Sequence, residues 1–298
     1  MLTFRCQNCG AELCIDSSGA LVCEYCGSHF FFSDEQLRGY RAFRRQMLNY
    51  LRDLQDEKEV RDHNEDLLWT SAETEHLRTA DGIDVTLRYL YSHEDGHCKL
   101  YMTRDRFLFY YRHGNRFFAD GRESSLSMLS YPPADVKGLK ECFPVPAGRY
   151  ELEDGGLLLT YLRPANVFPL SHFGALLPEH AAWVVSRLEN ICCVLEYSGI
   201  LHGGISENSV FINPFEHHAI LMGGWERAGR KRVGDTEDLK DLRKTADRVL
   251  GTHRDRIPRE FRDFLKGRPK ADAYEDFALW DTVIEKGFGG RRFAKMNM

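Results

Sequence analysis

Four cysteines constrain this chain more than any other feature. Cys6 and Cys9 form one pair and Cys23 and Cys26 a second, with the full spacing Cys-x2-Cys-x13-Cys-x2-Cys. Two thiolates at that spacing reach one ion from a tight turn. Gly10 and Gly27, each directly after the second cysteine of its pair, permit the positive φ such turns need. Four sulfur ligands close a tetrahedral Zn²⁺ site, so the metal is expected to be structural rather than catalytic. Roughly 30 residues cannot build a core alone, and Zn–S bonds near ~2.3 Å would stand in for one. Disulfides are the competing account, since the chain holds nine cysteines. The start, however, lacks a basic region followed by an apolar stretch, so export is not expected and a reducing cytoplasm is.

Residues 1–33 thus read as a zinc ribbon. Arg5 is their only Lys or Arg, against Glu12, Asp16 and Glu24. That balance favours docking to a protein over binding nucleic acid. Cys14 reads as a small strand residue. Over the whole chain 40 Lys+Arg face 45 Asp+Glu, a net charge of −5, which disfavours a polyanion binder or an electrostatically held membrane protein. No apolar run is long enough to span a bilayer.

Residues 34–62 are charged and contain neither proline nor cysteine. Ser33-Asp34-Glu35-Gln36 has capping-box spacing, and Leu37, Tyr40, Phe43, Met47, Leu51 and Leu54 recur at three or four residues. The pattern predicts a linker helix whose stripe packs on the next domain; a homodimer through residues 34–58 is the alternative. Arg38, Arg41, Arg44 and Arg45 could meet phosphates, but Asp53, Asp56, Glu57 and Glu59 offset them.

The remainder is expected to be α+β. Alternation predicts strands at 85–91, 100–102 and 107–111, joined as two hairpins, and further strands near 150–152 and 157–162. A helix is predicted over Glu123–Leu129. Others are predicted at Pro178–Ser198, at Glu237–Leu250 and twice near the C-terminus.

The stretch from Leu201-His202-Gly203-Gly204 through Asn208-Ser209-Val210 to Ile212 resembles the catalytic loop of the protein kinase superfamily. Eight residues beyond Ile212, where that stretch ends, Ile220-Leu221-Met222-Gly223-Gly224-Trp225 falls where the metal-binding strand end should be. The helices before and after are similar to those of the large lobe, and the hinge-like Tyr161-Leu162-Arg163-Pro164 stands between the lobes. The resemblance implies a two-lobed domain, with the small lobe at 63–163 and the large lobe at 164–298. It also implies that Asp238 holds the catalytic-loop backbone and that His202 packs beneath the loop.

Phosphoryl transfer in this fold needs a phosphate-binding lysine, a base carboxylate and metal ligands. Under the resemblance the base position is Gly204 and the metal-ligand positions are Ser209 and Gly223. A slip of one residue restores an asparagine as Asn208 but moves the base to Gly203, and the aspartate still falls on Met222 or Gly224. The phosphate loop, Ser92–Gly96, holds one glycine and two carboxylates. Arg112 would replace the lysine and Glu123 would pair with it; Glu226 and Glu207 are the only acids near the metal positions in sequence.

The expectation is therefore a pseudokinase that binds or scaffolds a protein partner, not an enzyme, with ATP binding weak or absent. One rival is a divergent nucleotide-dependent phosphotransferase using Glu226 or Glu207. The other is a zinc-ribbon protein that acts on nucleic acid or in transcription. Elsewhere, His217-His218 read as a solvated or turn-forming loop pair and Cys192-Cys193 as buried thiols. Trp183, Trp225 and Trp280 read as core anchors, and the basic run 227–232 as a solvated loop or an anion-docking patch.

Overall fold

The computed structural model describes the backbone of residues 4–5, 12–13, 20–22, 29–31 and 34–56, and then residues 66, 68–132, 138–291 and 296. Strands β1 (Phe4–Arg5) and β2 (Glu12–Leu13) pair antiparallel, as do β3 (Ala20–Val22) and β4 (His29–Phe31). The closing pairs are Arg5↔Glu12 and Val22↔His29, so each cysteine pair falls in the connection of one hairpin. The cysteines themselves lie outside the described residues. Helix α1 covers Asp34–Asp56. Met47 and Leu51 are fully buried, Tyr50 and Leu54 nearly so, and Phe43 stacks on Tyr91 with centroids 6.1 Å apart. The described part of the predicted stripe is thus buried within its own chain.

The chain divides into two compact units, 1–116 with 147–163 and 117–146 with 164–297. The first contains β5 (Glu73–Arg78), β6 (Asp84–Tyr89), β7 (Tyr91–Glu94), β8 (Lys99–Met102), β9 (Arg106–Tyr111), β10 (Pro146–Glu151) except for its first residue, and β11 (Leu157–Leu162). Five of these make one sheet in the order β10-β11-β9-β8-β7, while β5 and β6 form a separate hairpin. Leu87 and Tyr89 of that hairpin pack with Tyr101, Leu108, Leu152 and Leu158. Phe107, Phe109 and Tyr111 alternate to the other face of β9 and are also buried. Coverage of both faces explains why β9 reads as a continuous apolar run. Tyr89 donates to Glu73 (2.9 Å), Tyr101 to Glu75 (3.1 Å) and Tyr110 to Asp154, so tyrosine hydroxyls end on carboxylates where the layers meet.

Two expectations are corrected here. The predicted strand 85–91 is split at Leu90: β6 pairs with β5 and β7 with β8. The partner β5, Glu-Thr-Glu-His-Leu-Arg, is too polar to read as a strand and forms by pairing with β6. The predicted helix 123–129 is instead α2, Arg116–Ser127. Burial of Ala119, Arg122 and Ser125 on one face outweighs the helix cost of Gly121, roughly 1 kcal/mol relative to alanine.

The second unit contains α2, except for its first residue, and β12 (Phe168–Pro169), α3 (Pro178–Ser198), β13 (Ile200–Leu201), β14 (Val210–Asn213), β15 (His218–Leu221), β16 (Gly229–Arg230), α4 (Glu237–Leu250), α5 (Arg259–Lys266) and α6 (Ala273–Phe288). Helix α3 begins with Pro178 and ends at Gly199, whose φ of 65° closes it. It packs on α4 and α6. Trp280 of α6 is fully buried and donates to Ser186 Oγ at 2.8 Å. Beside it Arg243 grips Asp276 with two bonds (2.7 and 2.9 Å) and lies over the Phe264 ring. Glu189 is wholly buried, with neither carboxylate oxygen bonded among the described residues. Burial, reinforced by nearby Asp276, pushes its carboxyl up to about 9, so it carries a proton at neutral pH. No helix among the described residues is long and apolar enough to cross a membrane.

Candidate functional site

The loop after β13 is held from below. Asp238, in the first turn of α4 and nearly fully buried, accepts the backbone N–H groups of His202 (2.8 Å) and Gly203 (2.7 Å). Burial raises its carboxyl to about 6 against the lowering pull of those two bonds. His202 is fully buried, and burial drives its imidazole down to about 3, leaving it neutral. Nε2 lies 3.0 Å from the Gly223 carbonyl, which can only accept, so the proton sits on Nε2. The ring meets Trp225 edge-on at 4.9 Å, and Trp225 is anchored by its own bond to the Leu221 carbonyl at 2.8 Å. A histidine so enclosed supports the loop and has no route to act as a base.

The positions implied as metal ligands adjoin each other. Met222 and Gly223 both donate to the Ser209 carbonyl (2.9 and 3.0 Å). Ser209 Oγ turns back into its own loop, accepting Ser206 N–H at 2.8 Å and bonding the Ser206 carbonyl at 3.1 Å. Gly223 offers no side chain, and a Cβ there would stand 3.1 Å from Ser209 Cα. At Gly224, where φ is +83°, a Cβ would collide with the His202 ring at 2.8 Å. Gly204 differs: the nearest atom to a Cβ there would be 3.7 Å away, an ordinary contact.

Glu226 is held by a residue that sequence reasoning passed over. Arg122 of α2 bonds Glu226 Oε1 at 3.1 Å and the Met222 carbonyl at 2.7 Å, with both charged side chains essentially inaccessible. One turn on, Ser125 Oγ donates to the Ala228 carbonyl at 3.1 Å. Helix α2 is therefore fastened to the strand end of residues 222–228 at two points. The only sequence signal was an arginine three residues before a serine on one helix face, which normally marks a solvated surface. Glu207, the other nearby acid, pairs with Arg248 at 3.3 Å.

Arg112, in the first unit, pairs with Glu94 at 2.6 Å. The turn it faces is closed by Asp95, which accepts His97 and Cys98 N–H, and by Asn115, which donates to the His97 carbonyl. These residues line a cavity of about 170 Å³. Its charge is mixed, with Glu94 and Asp95 set against Lys99 and Arg112. Glu123 lies in the second unit and is half-buried. The structure thus brings together His202, Gly204, Ser209, Gly223, Glu226 and Asp238, and places Arg112 on Glu94.

Of the two readings of the histidine pair, turn-forming holds and solvated does not: His217 closes the turn at φ +49°, yet is buried, with its ring stacked on Trp183 at 4.8 Å and its carbonyl taken by Arg187. Cys192 is buried and Cys193 half-buried, and burial raises both thiols. Trp225 and Trp280 are fully buried, whereas Trp183 is partly exposed.

No family model matches the chain, and no curated protein does. Solved structures match it in fold. The structure of vaccinia related kinase 3 aligns with a TM-score of 0.51 at 14% identity, over 77% of this chain and 97% of that one. The BubR1 kinase domain aligns with a TM-score of 0.51 at 9% identity, over 72% and 85%. WbdD aligns with a TM-score of 0.46 at 12% identity over 70% of this chain, which spans only 47% of the WbdD chain. At these identities the likeness concerns architecture alone: the chain has a two-lobed, protein-kinase-like fold.

Proposed function

We propose that this chain is a catalytically inactive kinase-fold protein of the cytoplasm that binds or scaffolds a protein partner, with a structural zinc ribbon at residues 1–33 as a docking module. The observation that carries the reading is the fate of Glu226. It is one of the two acids near the metal-ligand positions in sequence and is buried and neutralised by Arg122, while the other, Glu207, is paired with Arg248. Gly204, Ser209 and Gly223 supply no other acid. Phosphoryl transfer relies on positioned metal ions and a carboxylate base, and this constellation lacks the groups for either. The expected result of a thermal-shift titration with ATP is no Mg²⁺-dependent rise. A ligand at ~100 times its Kd would add about 2.7 kcal/mol, so such a rise would be plain. If it occurred together with phosphate transfer, the phosphotransferase reading would replace this one.

The zinc reading rests on the donor set and on the two short hairpins that carry it. Residues 6–11 and 23–28 each join paired strands and each hold one Cys-x2-Cys-Gly. Elemental analysis should find one zinc per chain, and a Cys6→Ser/Cys23→Ser variant should lose it. Full zinc content in that variant would remove the ribbon from the proposal.

A further inference from the structure

From Arg227 to Arg232 the backbone is bonded at every residue, beginning with Arg227 N–H on the Gly224 carbonyl at 3.1 Å. The Ala228 carbonyl takes Ser125 Oγ, and Gly229 and Arg230 pair with Leu201 and Ile200. Lys231 N–H reaches the Gly199 carbonyl at 2.9 Å, and its ammonium sits on Glu196. Glu196 also accepts the N–H of Ala273 at 3.1 Å, which ties this strand to the start of α6. Arg232 N–H is taken by Asp235 at 2.9 Å. The side chains of Arg227, Arg230 and Arg232, by contrast, are exposed and make no hydrogen bond or ion pair among the described residues. Next to the Lys231–Glu196–Ala273 junction stand Tyr197 and Tyr274, 46% and 50% exposed.

A merely solvated basic loop would not need its backbone fixed at every residue, as this one is. Here the cations are presented from a backbone held by hydrogen bonds on both sides of β16, so little backbone ordering remains to be done on binding. Arginine and tyrosine are also the residues enriched where protein interfaces concentrate their energy. We propose that residues 227–232, with Tyr197 and Tyr274, form a docking surface for an acidic segment of a partner protein. The inference rests on the non-catalytic binding role above and gives it a surface and a partner chemistry. A nucleic acid fits less well. Polyanion affinity grows with the number of phosphates neutralised, and three unengaged arginines on a chain of net charge −5 neutralise few.

The test is fluorescence anisotropy of a labelled Glu-rich peptide carrying one serine and one leucine, titrated with the full zinc-loaded chain in the presence of Mg²⁺ and ATP. Binding should weaken with salt and fall at least about tenfold when all three arginines become glutamine, while a Lys-rich peptide of equal length stays unbound. No binding, or equal binding by the triple variant, overturns the docking surface and leaves the non-catalytic reading intact. Tighter binding of a single-stranded oligonucleotide than of the peptide overturns it in favour of nucleic acid. Phosphate appearing on the peptide serine would overturn the non-catalytic reading instead.

Discussion

Replacing Arg122 by methionine should destabilise the fold by about 3–5 kcal/mol, more than any surface substitution would. The guanidinium is wholly buried and satisfies two groups at once, the Glu226 carboxylate and the Met222 carbonyl. Methionine fills similar space but leaves a buried charge without its counter-ion and a carbonyl without a donor. The cost should fall largely on the 222–228 segment, so hydrogen exchange there should accelerate along with the drop in denaturation midpoint. A double variant, Arg122→Met/Glu226→Leu, should recover much of the loss, because a buried ion pair replaced whole by apolar groups is often neutral. If Arg122→Met unfolds at the same urea concentration as the parent, α2 is not fastened as described.

Glu189→Gln should act in the opposite direction and stabilise the protein at neutral pH. An ordinary glutamate titrates near 4.5, whereas this buried one is pushed up to about 9. Between those values the folded chain holds a proton that the unfolded chain has lost, so stability falls as pH rises, by about 1.4 kcal/mol per pH unit. Glutamine has no proton to retain. The variant should match the parent near pH 4.5, exceed it by about 3 kcal/mol at pH 7 and gain nothing further above pH 9. Urea denaturation across that range measures the difference directly. A constant offset between the two proteins would mean that Glu189 is charged in the folded state. Asp276 and Arg243, which face it from α6 and α4, should be left unaltered, since removing either would unbalance the pair itself.

Where punctuation in the sequence is strong, elements could be read directly. Pro178 and Gly199 bracket α3, and the acids of its first turn with Gly251 bracket α4; both helices run as their spacing predicts. The kinase-like fold was legible from a dozen residues after Leu201 because loop, strand and helix follow in a fixed order. Other features depended on partners distant in the chain. Strand β5 carries no apolar alternation of its own. Arg122 was passed over, one residue before the predicted helix, because Glu226 lies 104 residues away and nothing local announces the pairing. The burial of His217 was missed for a similar reason, being supplied by Trp183 from another element. The four cysteines remain a reading of spacing, since they fall outside the described residues.

Gly204, Gly223 and Gly224, in the loop and at the strand end, are not equivalent in the space around them. A Cβ at Gly204 would meet its neighbours only at ordinary contact distance. The same is not true at Gly223, which crowds the Ser209 backbone, or at Gly224, where the His202 ring already occupies the space. The backbone supports, Asp238 and Trp225, hold whether or not any acid is present. Tolerance to side chains is thus uneven along this short stretch: the loop leaves space at one glycine, while the strand end is sealed by the packing beneath it.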